Sequence, residues 1–288
     1  MTTISAQYAF HPTTTQWLCG DHSLTRYHWP ATEKNPKAQV LLVHGLGEHM
    51  GRYNQLAYVL HQAGFAVSGY DHVGHGLSSG TRGDVDTPNQ LVDDLAAVVA
   101  DMQPQASSRP PLVLLGHSLG GLVVQRAIAQ GSCSADAVVM SSPALAAFTN
   151  PIQKLLLATL PSYFPHWRVS NGLPLAWLAR DAQVVRAYRD DRLVHDQISA
   201  GLAAWLMHEA SQALQAAADW HTPALLMYAG QDRCVNPQGS EQFAKAAPPQ
   251  WLQAHCFNVM YHEIFNDPEK QQVFSKLVGW LDERFAKV

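Results

Sequence analysis

The chain has 288 residues, of which 47% are hydrophobic and 15% are charged, and its formal net charge is −4. This composition supplies a sizeable core for one large α/β domain or two smaller ones, and it excludes an intrinsically disordered chain. The charge is too small and too mixed in sign to indicate a nucleic-acid partner. No apolar run is long enough to span a bilayer, and the N-terminus lacks a basic region followed by an apolar segment. We therefore expect a cytoplasmic protein.

The cysteines and histidines do not indicate a cofactor site. The cysteines lie far apart and form no C-x-x-C pair, so we interpret them as free thiols: Cys19, Cys133, Cys234 and Cys256. Four histidines follow predicted strands on glycine-rich turns: His44, His49, His72 and His75. Because the sequence contains no H-E-x-x-H helix, we expect these four to make hydrogen bonds within their loops. We expect neither a metal ion nor an organic cofactor.

The first part of the chain predicts the opening strands of a sheet. Weak alternation over residues 4–10 and 16–28 indicates an antiparallel hairpin. Residues 39–43 form a short apolar run, which is typical of a strand buried on both faces of a parallel sheet. This run ends in the turn H-G-L-G-E-H at residues 44–49, before a predicted helix. Another strand, at residues 66–70, ends in a second glycine-rich loop and is followed by an amphipathic helix.

Residues 111–121 predict a sharp turn between a strand and a helix. Their apolar run ends in Gly116-His117-Ser118-Leu119-Gly120, a match to G-x-S-x-G, and a helical pattern follows at once. Such a turn exposes the serine hydroxyl at a strained backbone angle, and it needs glycines because a Cβ there would collide with its neighbours. A serine hydroxyl is a poor nucleophile at neutral pH. A nucleophilic Ser118 therefore requires a base and a residue that orients the base.

Strands and helices alternate as far as a buried strand at residues 135–140, which predicts a doubly wound, mostly parallel α/β sheet. The alternation then breaks. We therefore predict a core of residues 1–144 and 219–288, with a helical lid, residues 145–218, inserted after the sixth strand. A lid over the carboxyl ends of the strands excludes water and supplies an apolar acyl pocket, although ordinary core packing is the alternative for any one side chain. The candidate lining residues are Leu155, Leu156, Leu160, Trp205 and Leu206.

Two later residues have the positions that a base and its orienting acid require. Asp232 follows the strand predicted at residues 223–229, although aspartate is also common in surface turns. His262 follows the last predicted strand, whereas His255, the other histidine after Asp232, lies within that strand. The order serine, acid, histidine is that of the α/β hydrolases. Asp71 precedes Ser118, so we expect it to fix its own loop.

These residues resemble the monoacylglycerol lipase and lysophospholipase branch of the α/β hydrolases. The resemblance extends from residue 40 to the end, and its most specific parts are H-G-L-G-E-H at 44–49 and D-H-V-G-H-G at 71–76. It implies Ser118 as nucleophile, His262 as general base and Asp232 as orienting acid. It also implies that the backbone N–H groups of Leu46 and Leu119 form the oxyanion hole. The resemblance further implies a lid that contacts membranes or micelles to admit single-chain glycerolipids.

We therefore expect a serine hydrolase that cleaves carboxylic esters of single-chain glycerolipids through an acyl-enzyme on Ser118. The lid departs most from the family, and the lid selects the substrate. A lysophospholipase or a general carboxylesterase is therefore an alternative. A peptidase, a C–C bond hydrolase and a non-catalytic binding module are more remote alternatives.

Overall fold

The computed structural model describes residues 10–30, 35–102, 109–148 and 159–286. The strands within these ranges are β1 (Thr13–Cys19), β2 (His22–His28), β3 (Gln39–Val43), β4 (Ala66–Tyr70), β5 (Leu112–His117), β6 (Ala137–Ser141), β7 (Arg168–Ser170), β8 (Gln197–Ser199), β9 (Ala224–Ala229) and β10 (Leu252–Phe257). The α-helices are α1 (Asn54–Gln62), α2 (Gln90–Met102), α3 (Leu119–Ala129), α4 (Ala182–Asp190), α5 (Ala200–Gln215), α6 (Pro237–Ala246) and α7 (Lys270–Phe285). None of these described helices has the length and apolar character that a bilayer crossing requires.

An eight-stranded sheet organises the fold, with the strand order β1-β2-β4-β3-β5-β6-β9-β10. The strands from β4 to β10 in this order pair in parallel, whereas β1 and β2 are antiparallel at one edge. The prediction of a mostly parallel sheet flanked by helices is therefore confirmed. Parallel strands have their carboxyl ends at the same end of the sheet, so the loops after β3, β5, β9 and β10 are brought together there.

The opening hairpin is present, but its turn differs from the prediction. β1 and β2 pair over residues 13–28, with Cys19 opposite His22, and the chain reverses at Gly20 and Asp21. Gly20 has a φ of +58°, which a residue without a Cβ adopts at little cost. The segment predicted as the second strand, residues 16–28, therefore contains the turn itself. Of the predicted first strand, residues 4–9 lie outside the described residues.

Helices cover both faces of the sheet, which explains the continuous apolar strands in the sequence. Along β3, Leu41 and Val43 face one hydrophobic core, while Val40 and Leu42 face the other. The first core includes residues of α2, α3, α5 and α6, and the second includes residues of α1 and α7. Because both faces are buried, a site for a ligand has to form at the ends of the strands.

We call residues 142–223, between β6 and β9, the cap segment. It contains α4, α5 and an antiparallel pair of short strands, β7 and β8. This pair is absent from the sequence prediction because β7 is exposed over its whole length and so lacks the pattern of a buried strand. α5 packs against α3 and joins the first hydrophobic core, which attaches the cap segment to the sheet.

Candidate active site

Ser118 lies on the sharp turn between β5 and α3, as the G-x-S-x-G match predicts. Its backbone has a φ of 53° and a ψ of −117°, a positive φ that is strained for a residue with a side chain. A Cβ on Gly116 would lie 2.3 Å from the carbonyl oxygen of Gly120, and a Cβ on Gly120 would lie 2.2 Å from that of Val43. The two glycines therefore allow β3, β5 and α3 to approach closely enough to fix the position of the serine.

Ser118, His262 and Asp232 form one chain of hydrogen bonds. The Oγ hydroxyl of Ser118 donates to Nε2 of His262 at 2.8 Å, and the Nδ1–H of His262 donates to Oδ2 of Asp232 at 2.7 Å. The other carboxylate oxygen of Asp232 accepts the backbone N–H groups of Cys234 and Val235, at 2.8 and 3.0 Å. The structure thus brings the three candidate residues together in the geometry of a serine–histidine–aspartate triad.

The surroundings of His262 favour its protonated form. Burial lowers the pKa of this imidazole, but attraction to Asp232 and the hydrogen bond to that carboxylate raise it. The charges of Glu263 and Glu48 add to the increase, so the net pKa of His262 lies above its ordinary value. The neighbouring ring of His117, 4.8 Å away between centroids, has its pKa lowered to about 4 by burial and by repulsion from His262. Of these two histidines, His262 is therefore the more basic.

A buried ion-pair network joins the turn after β3 to the loop that contains His262. Glu48 accepts the backbone N–H of Gly45 at 2.7 Å and pairs with Arg52. The same guanidinium donates to Glu263, the residue after His262, at 2.8 Å. All three charged side chains are largely buried, where removal of one partner leaves a costly unpaired charge. The network therefore fixes the relative positions of the candidate oxyanion turn and the candidate base.

The two candidate oxyanion donors lie near Ser118. Leu46 and Leu119 line the same cavity as the serine, and Leu119 begins α3, whose N-terminal N–H groups favour a negative charge. The turn that contains Leu46 also contacts the cap segment. The N–H of His195 donates to the carbonyl of Gly47 at 2.9 Å, and a Cβ on Gly47 would lie 2.3 Å from the carbonyl oxygen of His195. The cap segment therefore holds this turn in place.

A cavity of about 870 Å³ begins at Ser118 and His262 and extends between the core and the cap segment. Most of its lining is apolar, and the cap segment supplies much of that lining, including Leu160, Trp167, Trp177, Ile198, Leu206 and Met207. A volume of this size is typical of small-molecule sites. The apolar lining suits a hydrocarbon chain.

Only some of the residues predicted to line the pocket from the cap segment do line the cavity. Leu160 and Leu206 line the cavity. The prediction for Trp205 is wrong: this side chain is 6% exposed and belongs to the hydrophobic core beside α3. Adjacent residues on a helix point about 100° apart, so α5 buries Trp205 in the core, whereas Leu206 packs against the same core and also reaches the cavity. Leu155 and Leu156 lie outside the described residues.

Several lining residues are absent from the sequence prediction because they do not belong to periodic elements. Trp167 precedes the exposed strand β7, Trp177 ends a short 3-10 helix, and Ile198 lies in β8. The available signal was a tryptophan shortly after a proline, at Pro165 and again at Pro174. A large aromatic residue in a stretch without helical or strand periodicity indicates a contact other than regular core packing.

The four loop histidines make hydrogen bonds, as expected, but the ring bonds of His72 and His49 reach other segments of the chain. Nε2 of His44 accepts the backbone N–H of His72 at 3.0 Å, and His75 donates from Nδ1 to a backbone carbonyl at 2.9 Å. His49 pairs with Asp191 of the cap segment at 2.8 Å. Burial lowers the pKa of His44, His72 and His75, so these rings are neutral near pH 7.

Asp71 fixes its loop, as expected from its place in the sequence. Its carboxylate accepts the backbone N–H groups of Met50 and Leu77, at 2.7 and 2.8 Å, and the hydroxyl of Tyr27 at 3.0 Å. These bonds join β2, the segment before α1 and the loop after β4. The Asp71 carboxylate therefore has a structural role, and it does not belong to the hydrogen-bonded chain of Ser118, His262 and Asp232.

Comparisons with known proteins agree with this fold. The family described as "Serine aminopeptidase, S33" matches residues 34–269. The monoacylglycerol lipase of Mycolicibacterium smegmatis is 31% identical, over 86% of this chain and 89% of its own length. The crystal structure of the monoacylglycerol lipase of Paleococcus ferrophilus has a TM-score of 0.83 and 33% identity, over 91% of this chain and 99% of that chain. The chain also matches 27% of the length of a Dictyostelium discoideum protein described as an uncharacterized abhydrolase domain-containing protein, with 30% identity over 86% of this chain.

Proposed function

Because the chain belongs to the monoacylglycerol lipase-like branch of the α/β-hydrolase superfamily and is a serine ester hydrolase, we propose that it hydrolyses monoacylglycerols. The observation that supports this substrate best is the position of the Ser118 hydroxyl. It is bonded to His262 at 2.8 Å and lies on the wall of an apolar cavity of about 870 Å³. Such a cavity can hold one acyl chain with its ester carbonyl beside the serine.

The proposed reaction has two acyl-transfer steps. Nε2 of His262 accepts the proton of Ser118 as the hydroxyl oxygen attacks the ester carbonyl, and Asp232 stabilises the imidazolium. The N–H groups of Leu46 and Leu119 stabilise the oxyanion, each by about 2.7–4 kcal/mol. The imidazolium then protonates the leaving glycerol oxygen, which leaves an acyl-enzyme. Water, deprotonated by the same imidazole, attacks the acyl carbon, the proton returns to the serine and the fatty acid leaves.

A substrate panel tests the proposal. Monoacylglycerols of increasing chain length, a diacylglycerol and lysophosphatidylcholine are compared by kcat/KM under the same conditions. We expect the monoacylglycerols to be the best substrates, because the cavity suits one hydrocarbon chain and burial of a charged head group is costly. A preference for lysophosphatidylcholine would instead favour the lysophospholipase alternative.

An aminopeptidase is the alternative that the description of the matched family raises. Binding of a peptide α-ammonium group requires an available carboxylate. The carboxylates among the described lining residues are Glu48, Glu263 and Asp196. The first two share Arg52, and the side chain of Asp196 is exposed to solvent, where pairing with an ammonium group contributes little. We therefore expect amino-acyl 4-nitroanilides to be much poorer substrates than monoacylglycerols, and efficient cleavage of them would support the aminopeptidase.

The division into core and lid is part of the proposal. We assign residues 1–144 and 219–288 to the core and residues 145–218 to a lid. Support comes from the cavity, which the cap segment closes on one side, and from the contact between His195 and Gly47 at the candidate oxyanion turn. Closure by a lid removes water from the acyl-enzyme and strengthens the electrostatic interactions around it.

The outer surface of the cap segment supports transient docking on lipid. Tyr163, Phe164 and Trp167 are 79%, 61% and 57% exposed, and Trp167 also lines the cavity. An apolar surface that continues into an apolar cavity offers a single-chain lipid a path from a membrane or micelle to the serine. The four cysteines are free thiols, which fits the cytoplasmic location that we propose for the enzyme.

A further inference from the structure

Three side chains at one edge of the sheet form a cluster of groups that bind metal ions. Cys19 ends β1, His22 begins β2 and Asp94 lies on α2. Their ligand atoms all lie within 4.8 Å of one another. Cys19 and Asp94 are buried, His22 is partly buried, and none of the three lines the cavity at Ser118. The cluster is therefore separate from the proposed active site.

The distances within the cluster suit a tetrahedral zinc ion. Zn–S bonds of about 2.3 Å and Zn–N or Zn–O bonds of about 2.0–2.2 Å place neighbouring ligand atoms about 3.3–3.6 Å apart. Sγ of Cys19 is 3.6 Å from Oδ1 of Asp94. Nε2 of His22 is 2.9 Å from the same oxygen, so this pair has to separate by about half an ångström to admit the ion.

The carboxylate of Asp94 also has an unused oxygen. Cys19 and His22 both contact Oδ1, whereas Oδ2 is buried and has no hydrogen-bond partner among the described residues. The side chain of Asp94 is only 3% exposed. Because a buried polar atom without a partner is costly, hydrogen bonds inside the cluster do not account for the whole carboxylate. A cation that contacts both carboxylate oxygens would supply the missing partner.

The hairpin holds two of the three groups in fixed positions, and the charges balance. Cys19 and His22 are directly opposite each other across the two-residue turn. One thiolate and one carboxylate neutralise a divalent cation, with the imidazole neutral. The nearby guanidinium of Arg26 is already paired with Asp101 at 2.5 Å. This pairing reduces the repulsion between the guanidinium and a bound cation.

We propose that Cys19, His22 and Asp94 bind Zn²⁺, with a water molecule as the fourth ligand. Water can approach from the side of His22, which is 18% exposed. Binding replaces the S–H bond of Cys19 by a Zn–S bond, and the thiol proton passes to solvent. The ion joins the β1–β2 hairpin to α2 and stabilises this edge of the sheet. This site does not depend on the proposed ester hydrolysis.

Titrations of the full chain with Co²⁺ and Zn²⁺ test the proposal. After treatment with a chelator, Co²⁺ should produce the near-ultraviolet charge-transfer absorption of a cobalt–thiolate bond, and Zn²⁺ should displace it. Cys19→Ser should remove the band, and His22→Gln should weaken Zn²⁺ binding by at least about 10-fold. Cys133→Ser is the matched control, because it removes another thiol packed against the same hydrophobic core, and it should bind Zn²⁺ as the unaltered chain does.

Thermal unfolding provides a second readout, because Cys19 is buried and its replacement affects packing. Zn²⁺ at one hundred times its Kd should raise the Tm of the unaltered chain by about 5 °C, and the same concentration should raise that of His22→Gln much less. Absence of the cobalt–thiolate band, or its persistence in Cys19→Ser, would overturn the proposal. Loss of the band in Cys234→Ser instead would overturn it too, because it would place the ion at Asp232 and His262.

Discussion

At the triad end of the sheet, backbone segments approach so closely that side chains are excluded, whereas in the cap segment large apolar side chains face solvent. A Cβ on Gly116 would lie 2.3 Å from a carbonyl oxygen, and one on Gly120 would lie 2.2 Å from another. Tyr163 and Phe164 in the cap segment are 79% and 61% exposed. The first region is determined by its own packing, whereas the second region leaves large apolar side chains exposed to solvent.

We infer from this difference that one part of the chain positions the reacting groups and another part selects the substrate. A nucleophile and its base have to be held within a fraction of an ångström, which rigid strands and short turns achieve. Recognition of a hydrocarbon chain requires only a surface of suitable shape and polarity. Changes at the triad end should therefore remove the reaction, and changes in the cap segment should alter which substrates reach it.

Ser118→Ala tests the triad end most strongly. Loss of the proposed nucleophile should lower kcat for a 4-nitrophenyl ester by more than about 10⁴-fold, as in other triad hydrolases. Ser170→Ala removes a hydroxyl from the cap side of the same cavity and should retain activity within a few-fold. Steady-state kinetics and fluorophosphonate labelling measure both variants, and circular dichroism checks their folding. Labelling of the Ser118→Ala variant would show that another residue is the nucleophile.

Gly116→Ala and Gly172→Ala compare the packing of the two regions. At Gly116 the new methyl group meets the backbone of α3, so we expect the free energy of unfolding to fall by about 3 kcal/mol or more. At Gly172, in the cap segment, nothing lies within 4 Å of the new methyl group. The cost there is the strain of a φ of +70°, about 1–2 kcal/mol. Urea denaturation measures both variants, and equal losses would contradict the comparison.

The triad could be predicted from the sequence because each of its residues lies in a recognisable motif or has a characteristic place in the order of residues along the chain. Ser118 lies in a motif whose glycines are required sterically, and Asp232 and His262 follow apolar strands in the order serine, acid, histidine. The strands themselves were recognisable because burial on both faces makes them continuously apolar. The motif and the apolar strands are local signals, whereas the order of the three residues is a signal that extends from residue 118 to residue 262.

Contacts between segments that are distant in sequence could not be predicted, because no motif or pattern in the sequence indicates them. The pairing of Arg52 with Glu263 joins residues 211 positions apart, and the contact of His22 with Asp94 joins residues 72 positions apart. The error at Trp205 arose because both it and its neighbour Leu206 are apolar, so the pattern alone does not tell which one reaches the cavity. Only the packing of α5 against α3 decides this.

Glu263→Gln should change the pH dependence of the triad end. Burial lowers the pKa of His262, whereas Asp232 and then Glu263 raise it, so the acid limb of kcat/KM should lie above pH 6.5 in the unaltered enzyme. Removal of one negative charge disfavours the imidazolium and lowers that pKa. Since the neutral imidazole is the base, the acid limb should move to lower pH. Glu283→Gln, an exposed position on α7, is the control, and an acid limb that stays in place or moves to higher pH would contradict the expectation.

Replacement of Tyr163 and Phe164 by serine should have the smallest effect and should depend on how the substrate is presented. Neither side chain lines the cavity, so kcat/KM for a soluble short-chain ester should be unchanged. For a monoacylglycerol in vesicles, loss of two exposed aromatic side chains should weaken docking and raise the apparent KM by about 5- to 20-fold, because partial burial of an aromatic side chain contributes about 1 kcal/mol.

Leu18→Ser is the matched control for this comparison. Leu18 is 73% exposed, much like Tyr163 and Phe164, but it lies on β1 outside the cap segment. If the cap segment alone docks on lipid, Leu18→Ser should leave the apparent KM for the vesicle substrate unchanged. An equal increase in KM for both variants would mean that exposed apolar area as such, rather than its place at the mouth of the cavity, determines access to lipid. Vesicle co-sedimentation of the Ser118→Ala protein with each set of changes separates binding from turnover.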